Sequence, residues 1–284
     1  MISFTETAEQ YHSNTAVGSS DLRAFLRSPR LLADIRAGLV KRETKAMLFG
    51  TNAHMSLLEP QRFAKVVMVE PDQYPSGPSV AGLTPMKAWS NNANYCKNWH
   101  AEMVQAGKIV LSPEDRDRLS LMHERCPQAI RDILARSKCE VTVRHKMNGI
   151  ECQARVDVWD MANGKRYDVK TIRAMESLES EIWKRAYHVQ DRFYGRLIKA
   201  EMSQPIQKGS GLIFAETAAP FRWRVVELDA DYQALADRDI DEALRGIAAR
   251  NKSGCWDDPD AVFDVASPPD FMTNELDQDD EDAA

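Results

Sequence analysis

The stretch RVDVWDMANGKRYDVKT, residues 155–171, places two aspartates on either side of a turn signal. An Asn-Gly pair in the segment 162–165 favours a tight turn, so the flanking residues are predicted to form neighbouring strands. Asp157 would then end one strand close to Asp168 on the next. Strand alternation places Lys170 on the same face as Asp168.

Two converging carboxylates and an ammonium group suit one kind of chemistry. Carboxylate oxygens are the ligands that Mg²⁺ and Mn²⁺ prefer, and a nearby lysine can orient water or stabilise charge on phosphorus. The stretch therefore indicates metal-assisted phosphodiester hydrolysis. The alternative is ordinary turn chemistry, because aspartates next to Asn-Gly and Asp-x-Lys triplets also occur by chance.

The chain of 284 residues is long enough for one large domain or two small ones. It contains no run of 18 apolar residues, so no membrane span is expected, and its first residues lack the features of a secretory signal. Its 5 cysteines are widely spread and include no C-x-x-C pair, which argues against a disulfide framework or zinc ribbon. A cytoplasmic location is expected.

The net charge of −6 arises at the C-terminal end. Residues 274–284 carry six acids and no base, so the other 37 of the 43 acids equal the 37 lysines and arginines. A neutral body can still bind nucleic acid through a local basic groove. The tail, residues 271–284, is predicted to be disordered and solvated.

The pattern of helix and strand signals predicts an α/β protein with a helical N-terminal region. A hairpin is expected around Asn148-Gly149, followed by a third strand at 165–171. The less regular segments are predicted as a surface loop at 71–85, a helix at 86–105 and one long amphipathic helix at 177–202.

Residues outside the opening stretch complete a pattern found in one nuclease family. Downstream, a predicted helix contains Gln190 and, four residues on, Tyr194, and upstream FGTNAHMSLLEP contributes His54. Ser20-Asp21-Leu22 and Ser28-Pro29 belong to an N-terminal helix. With the two aspartates and the lysine, these residues resemble the RecB-like branch of the PD-(D/E)XK nuclease superfamily, in particular its RecE (exonuclease VIII)-like nuclease domains.

The resemblance implies a PD-(D/E)XK nuclease core, in which helices flank a central mixed β-sheet. It predicts a single nuclease domain over residues 1–270, with a helical part at about 12–135 and a catalytic core at about 136–250. The proline that gives the superfamily its name is replaced here by Val156, as in many RecB-like members.

The resemblance also implies a metal site. Asp157 would bridge the metal ions, Asp168 would supply the second carboxylate, and the backbone carbonyl of Val169 would complete the protein's ligands. His54 would be a further ligand, although a lone histidine among apolar residues is also typical of a core or capping position.

The remaining implied site residues surround the reacting phosphate. Lys170 would position the water, with an ordinary strand lysine as the alternative, and Gln190 and Tyr194 would hold the geometry of the lysine and the metal site. Neighbouring residues are given lesser roles: Glu140 and Glu151 are unassigned, Trp183 and Tyr187 are expected to pack, and Arg173, Lys184, Arg185 and Arg192 either contact phosphates or form a solvated face.

The function implied by the resemblance is a Mg²⁺-dependent exodeoxyribonuclease for which Mn²⁺ can substitute. RecE-like enzymes degrade linear duplex DNA in the 5′→3′ direction, leave 3′ single strands for a single-strand annealing protein, and serve phage-type recombination. They form homo-oligomeric rings, so a tetramer is expected. The alternatives are a structure-specific or restriction-type endonuclease of the same fold, and a catalytically inactive DNA-binding or assembly module.

Overall fold

The structure, a computed structural model, describes residues 1–40, 45–79, 82–203 and 210–258. Its helices are α1 (Ala8–Ser13), α2 (Ser19–Arg27), α3 (Pro29–Arg36), α4 (Lys45–Leu58), α5 (Pro60–Val66), α6 (Asn94–Gln105), α7 (Pro113–Glu124), α8 (Gln128–Arg136), α9 (Leu178–Lys184), α10 (Tyr187–Met202) and α11 (Ala230–Ser253), with a 3₁₀ turn at Met175–Ser177. Its strands are β1 (Ile2–Ser3), β2 (Val67–Val69), β3 (Gln73–Pro75), β4 (Met86–Ala88), β5 (Ile109–Leu111), β6 (Lys138–Met147), β7 (Ile150–Asp160), β8 (Lys165–Ile172), β9 (Gly211–Glu216) and β10 (Trp223–Val226). Among these described helices, none has the apolar length that a membrane crossing requires.

Six strands form the central sheet, in the order β1-β6-β7-β8-β9-β10. Neighbouring strands run antiparallel except β8 and β9, which are parallel. The predicted β6–β7 hairpin is confirmed, and Asn148 and Gly149 adopt φ values of 50° and 82°, as a type I′ turn requires. The predicted fold class, a mixed sheet flanked by helices, is also confirmed.

Helices cover both faces of this sheet. On one face, α2, α10 and α11 enclose the largest core, in which Phe193 and Leu244 are fully buried against β6 and β7. On the other face, α4 packs on β8 and α8 packs on β7, in a core that includes Ile213 of β9. Because both faces are covered, every residue of β9 is buried.

The close approach of α2 and α11 depends on a glycine. A Cβ atom at Gly246 would lie 2.3 Å from the ring of Phe25, which is closer than any real contact. The absence of a side chain there lets the Phe25 ring lie directly on the α11 backbone. This contact holds the N-terminal helices on the core.

The predicted long helix at 177–202 is wrong in one respect, because the structure has two helices there. Ala186 adopts a left-handed backbone with φ 48°, which ends α9 and starts α10 in a new direction. Alanine is the best helix former, so the break has no local signal and is imposed by the packing of the two helices.

Two predictions in the N-terminal half also need correction. The segment 71–85 contains a strand, β3, which pairs with β4 at Met86–Ala88, so the helix predicted from residue 86 begins only at Asn94. The three-residue strands are too short to show an alternating pattern. The predicted acidic tail, residues 271–284, lies outside the described residues.

Candidate active site

Three acidic residues occupy the same level of three adjacent strands. Glu140 lies between the two residues of β6 that pair with the neighbours of Asp157 on β7. The β7–β8 pairing stops at Val158↔Tyr167, one step before Asp157 and Asp168. Two strand registers therefore bring Glu140, Asp157 and Asp168 together, although 28 positions separate the first from the last.

The backbone departs from regular pairing at this level. Glu140 has a φ of 58°, a conformation that is uncommon for a residue with a side chain and often marks a functional site. The carboxylate of Asp157 occupies the place of a ladder bond, since its Oδ2 accepts the backbone N–H of Val169 at 2.8 Å. Val156 and Val158 would lie on one face of a regular strand but pack into different cores, so the side-chain alternation of β7 is interrupted at Asp157.

The prediction that Asp157 ends its strand is wrong, because β7 continues to Asp160. The turn after it is held by Asp160, whose Oδ1 accepts the N–H of Asn163 at 3.2 Å and whose Oδ2 accepts Arg136 Nε at 2.7 Å. These contacts extend the strand past the functional aspartate. Asp157 therefore lies inside the sheet, where it is only 8% exposed.

His54 reaches the carboxylates from α4 on the helical N-terminal side. Its Nε2 lies 2.9 Å from Asp157 Oδ2, and its Nδ1 lies 3.3 Å from Glu140 Oε1. Burial opposes the charge on the imidazole, but Asp157 and Glu140 outweigh burial and raise the pKa of His54 to about 9. The ligand-type atoms of these three residues all lie within 4.8 Å of one another.

A second group of polar side chains connects β8 to α10. The ammonium group of Lys170 forms an ion pair with Asp168 and donates to Gln190 Oε1 at 3.0 Å. The amide nitrogen of Gln190 donates to Asp168 Oδ1 at 2.8 Å and to Tyr194 Oη at 3.2 Å. Gln190 thus fixes both the lysine and the aspartate, and the structure brings all four predicted residues together.

Burial and mutual repulsion shape the charges of this site. Burial, reinforced by the negative charge of Asp157, raises the pKa of Asp168 to about 7 although Lys170 opposes the rise. Burial also disfavours ionised Asp157, but His54, Lys170 and the N–H of Val169 together lower its pKa. The pKa of Lys170 is raised because Asp168 and Asp157 outweigh its burial, so the side chain is a charged hydrogen-bond donor.

The arrangement fits a divalent cation. Glu140 Oε1 and Asp168 Oδ2 are buried oxygens that accept no well-formed hydrogen bond from the described residues, only the ion-pair contacts with His54 and Lys170. Carboxylate oxygens and one imidazole form a donor set that Mg²⁺ or Mn²⁺ accepts. The roles of Asp168 and of the Val169 carbonyl as ligands stay predictions.

Glu140 has no predicted role, although the sequence contains a signal for it. Counting outward from Asn148-Gly149 places Glu140 opposite Asp157 once the hairpin is assumed. Glu151, which was equally close in sequence, is exposed on β7 and lies 3.9 Å from Lys146 Nζ. The strand register separates the two glutamates, whereas their distance in sequence does not.

Comparison with known proteins identifies this architecture. The family model described as "PDDEXK-like domain of unknown function (DUF3799)" matches residues 18–252. A crystal structure from Eubacterium rectale, described as a "Putative exonuclease", has a TM-score of 0.60 to this chain at 12% identity, over 95% of this chain and 98% of that one. At that identity the likeness concerns the fold. No curated protein matches the chain in sequence. Because the family match spans most of the chain and the fold agrees with it, the chain belongs to the PDDEXK-like family.

Proposed function

We propose that the chain is a metal-dependent deoxyribonuclease that hydrolyses phosphodiester bonds. The observation that carries the proposal is the contact chain from Asp168 through Lys170 and Gln190 to Tyr194, next to the cluster of His54, Glu140 and Asp157 described above. The PDDEXK-like fold supports it.

Each side chain has a distinct role in this proposal. His54, Asp157 and Asp168 would hold the divalent ion together with the Val169 carbonyl, and Glu140 would join them. When bound, a divalent ion supplies positive charge that polarises the scissile phosphate. The Nζ of Lys170 donates a hydrogen bond to the incoming water or to a phosphate oxygen, and Gln190 holds it in place.

The finer proposal is an exonuclease on linear double-stranded DNA. On the strength of the RecE-like residues in the sequence, we infer 5′→3′ degradation that leaves 3′ single strands, use of those strands by an annealing protein in the cytoplasm, and a role in phage-type recombination. An endonuclease of the same fold and an inactive DNA-binding module are the alternatives.

One assay separates these three possibilities. Linear duplex DNA labelled at one end at a time, and a covalently closed circle, are incubated with the protein and Mg²⁺ or Mn²⁺. An exonuclease releases the 5′ label first and leaves the circle intact, whereas an endonuclease cuts the circle. Asp157→Asn should abolish cleavage with an unchanged circular dichroism spectrum. If neither the linear duplex nor the circle is cleaved with Mg²⁺ or Mn²⁺, only the inactive DNA-binding module remains, and the nuclease proposal is overturned.

A further inference from the structure

Trp183 does not pack as its sequence context predicts. Tyr187, the other aromatic residue expected to pack, is 9% exposed and lies in a core with Phe214. Trp183 stands in the last turn of α9 and is 56% exposed. More than half of this large apolar side chain is therefore open to solvent.

The indole is held flat by a second ring beneath it. His188 is 3% exposed, and its ring stacks on Trp183 with centroids 5.4 Å apart and planes 6° apart. The chain turns at the left-handed backbone of Ala186, so His188, which is five residues after Trp183, lies under the indole. One face of the indole is therefore covered and the ring is oriented without being buried.

The supporting ring is enclosed on its other side as well. Tyr232 packs against the imidazole of His188, with centroids 5.5 Å apart. Burial lowers the pKa of His188, although the carboxylate of Asp239, 3.7 Å from Nε2, acts to raise it. A buried aromatic support leaves the outer face of the Trp183 ring suited to stacking on another flat ring.

Positive charges gather at the same end of α9. Arg23 Nη1 donates to the carbonyl of Arg185 at 3.0 Å, and Arg27 Nη2 donates to the carbonyl of Lys184 at 3.2 Å. The acids of α9 lie in its first turn, whereas Lys184 lies in its last. Arg23 and Arg27 are held by backbone carbonyls, which do not neutralise them, so within the described part of the chain their charge remains available to an anion.

Other arginines of the same region are neutralised. Arg192, which sequence reasoning considered as a phosphate contact, is bound by Asp237 at 2.6 Å, and Arg196 by Asp241 at 2.7 Å. Arg185 is itself paired with Glu181. The contrast concentrates the net positive charge around Arg23, Arg27 and Lys184.

This basic end of α9 adjoins the candidate active site. The Nζ of Lys170 lies 4.8 Å from the centre of the Tyr187 ring. Burial and the charge of Asp168 raise the pKa of Tyr187, while the charges of Lys170, Arg185 and Arg23 oppose the rise, so this tyrosine feels the cations of both places. Tyr187 therefore connects the basic end of α9 to Lys170 of the candidate active site.

We propose that Trp183 is a stacking platform for a base of single-stranded DNA, and that Arg23, Arg27 and Lys184 hold the adjoining phosphates. Aromatic stacking combined with a basic groove binds single strands without reading their sequence, because every base has a flat face. The substrate follows from the proposed nuclease function, but binding at α9 requires no cleavage.

The test measures binding by fluorescence anisotropy in EDTA, so that nothing is cut. The probes are a labelled thymidine oligonucleotide of roughly 12 nucleotides and a matched oligonucleotide that carries abasic sites, a length that suits single-strand sites. The wild-type protein should prefer the thymidine oligonucleotide by about tenfold, in line with the stacking energy of one base. Trp183→Ala should remove this preference, and Trp183→Phe should keep most of it.

Two further variants separate stacking from charge. Tyr95→Ala is the matched control, because Tyr95 is also exposed and stacks on another ring, that of Tyr74, but lies on α6 outside the elements of the site. It should change nothing. Lys184→Gln should weaken the binding of both oligonucleotides equally. The slope of the logarithm of the binding constant against the logarithm of the salt concentration should fall by about one.

The inference and the proposed function fail separately. If Trp183→Ala keeps the preference for bases, or weakens both oligonucleotides equally, the platform is refuted even if the protein cleaves DNA. If base-dependent binding requires Trp183 but no DNA is cleaved with Mg²⁺ or Mn²⁺, the platform stands and the nuclease proposal fails.

Discussion

Glu140 shows how a single residue in an unusual backbone conformation can complete a site. Burial raises its pKa, and the charge of Asp157 raises it further, while His54 and Arg155 oppose the rise. Arg155 binds one of its oxygens and leaves Oε1 facing His54. Arg155 compensates one oxygen only, so the assignment of Glu140 to the metal site rests on Oε1, a buried oxygen that accepts no well-formed hydrogen bond from the described residues.

The first prediction concerns this glutamate. Glu140→Gln keeps the shape of the side chain but removes its charge, so Mn²⁺ should bind about tenfold more weakly, a loss typical of residues that support a metal site. Isothermal titration calorimetry of the metal-free protein measures the change directly. Glu151→Gln is the control, because Glu151 is exposed in the same hairpin and should leave metal affinity unchanged. If Glu140→Gln binds Mn²⁺ as tightly as Glu151→Gln does, Glu140 is not part of the metal site.

The second prediction concerns the lysine. Lys170→Ala should lower kcat by at least about a hundredfold while DNA affinity changes little, because the ammonium interacts mainly with the attacking water or the charge that develops on phosphate. Lys170→Arg should not restore the rate, since the larger guanidinium cannot keep the 3.0 Å contact to Gln190 in the same geometry. A loss of binding that matches the loss of rate would make Lys170 a phosphate contact only.

The sequence carries some of these residues more visibly than others. Asp157, Asp168 and Lys170 share one short stretch around a turn, so local pattern was enough to place them together. Glu140 requires a register counted across a hairpin, and His54 comes from a helix that no local rule brings to the sheet. Long-range placement of this kind is decided by packing of the core, which a single sequence does not display.

At the scale of elements, the end of β9 is fixed by one buried carboxylate. Glu216 is 1% exposed, and its Oε1 accepts the N–H of Met175 at 2.7 Å and Arg222 Nη2 at 2.6 Å. Its Oε2 accepts the N–H of Arg222 at 2.8 Å. Glu216 therefore joins the 3₁₀ turn that follows β8 to the segment that leads into β10.

The third prediction is that Glu216→Gln lowers the free energy of unfolding by about 2 kcal/mol, because hydrogen bonds to a charged acceptor are lost in a buried place. Urea denaturation measures this loss. Glu176→Gln is the matched control: Glu176 binds the same Arg222, but its side chain is 69% exposed, so its ion pair contributes little. If both variants lose similar amounts of unfolding free energy, the buried hydrogen bonds of Glu216 stabilise the protein no more than the exposed ion pair of Glu176 does.

The same carboxylate gives a pH dependence with a definite sign. Hydrogen bonds from Arg222 lower the pKa of Glu216 to about 2 from its usual 4.5, although burial opposes them. A depressed pKa in the folded state stabilises the protein fully above pH 4.5, and this contribution is lost as the pH falls toward 2. The wild-type protein should therefore lose more stability than Glu216→Gln between pH 5 and pH 3.

Helix boundaries reveal where local signals failed. Ser112 caps α7, since its hydroxyl accepts the N–H of Asp115 at 3.1 Å, and cap residues of this kind act through their immediate neighbours in the sequence. The break at Ala186 has no such local cause, yet it is what brings His188 under Trp183. Local sequence signals therefore indicate a helix start such as that of α7, but they do not indicate the junction at Ala186 that shapes the α9 surface.

At the scale of the molecule, charge limits how the protein can hold DNA. The acids and bases outside the tail balance, so long-range attraction to a duplex is weak and positive charge is available only locally, as around α9. An exonuclease that digests long duplexes must nevertheless remain bound through many cycles. Enclosure of the DNA by several subunits meets that need without strong phosphate affinity.

The fourth prediction is therefore a closed homo-oligomer, with a tetramer expected from the RecE-like residues of the sequence. Light scattering of the 284-residue chain should give a mass near four times 32.1 kDa. The candidate sites should face a central channel that is richer in Lys and Arg than the outer surface.

Digestion of a long duplex in the presence of excess competitor DNA measures whether the enzyme stays bound. A monomer that still degrades such a duplex without release would show that the protein retains DNA by contacts within one subunit, and the basic end of α9 would then be the first surface to test.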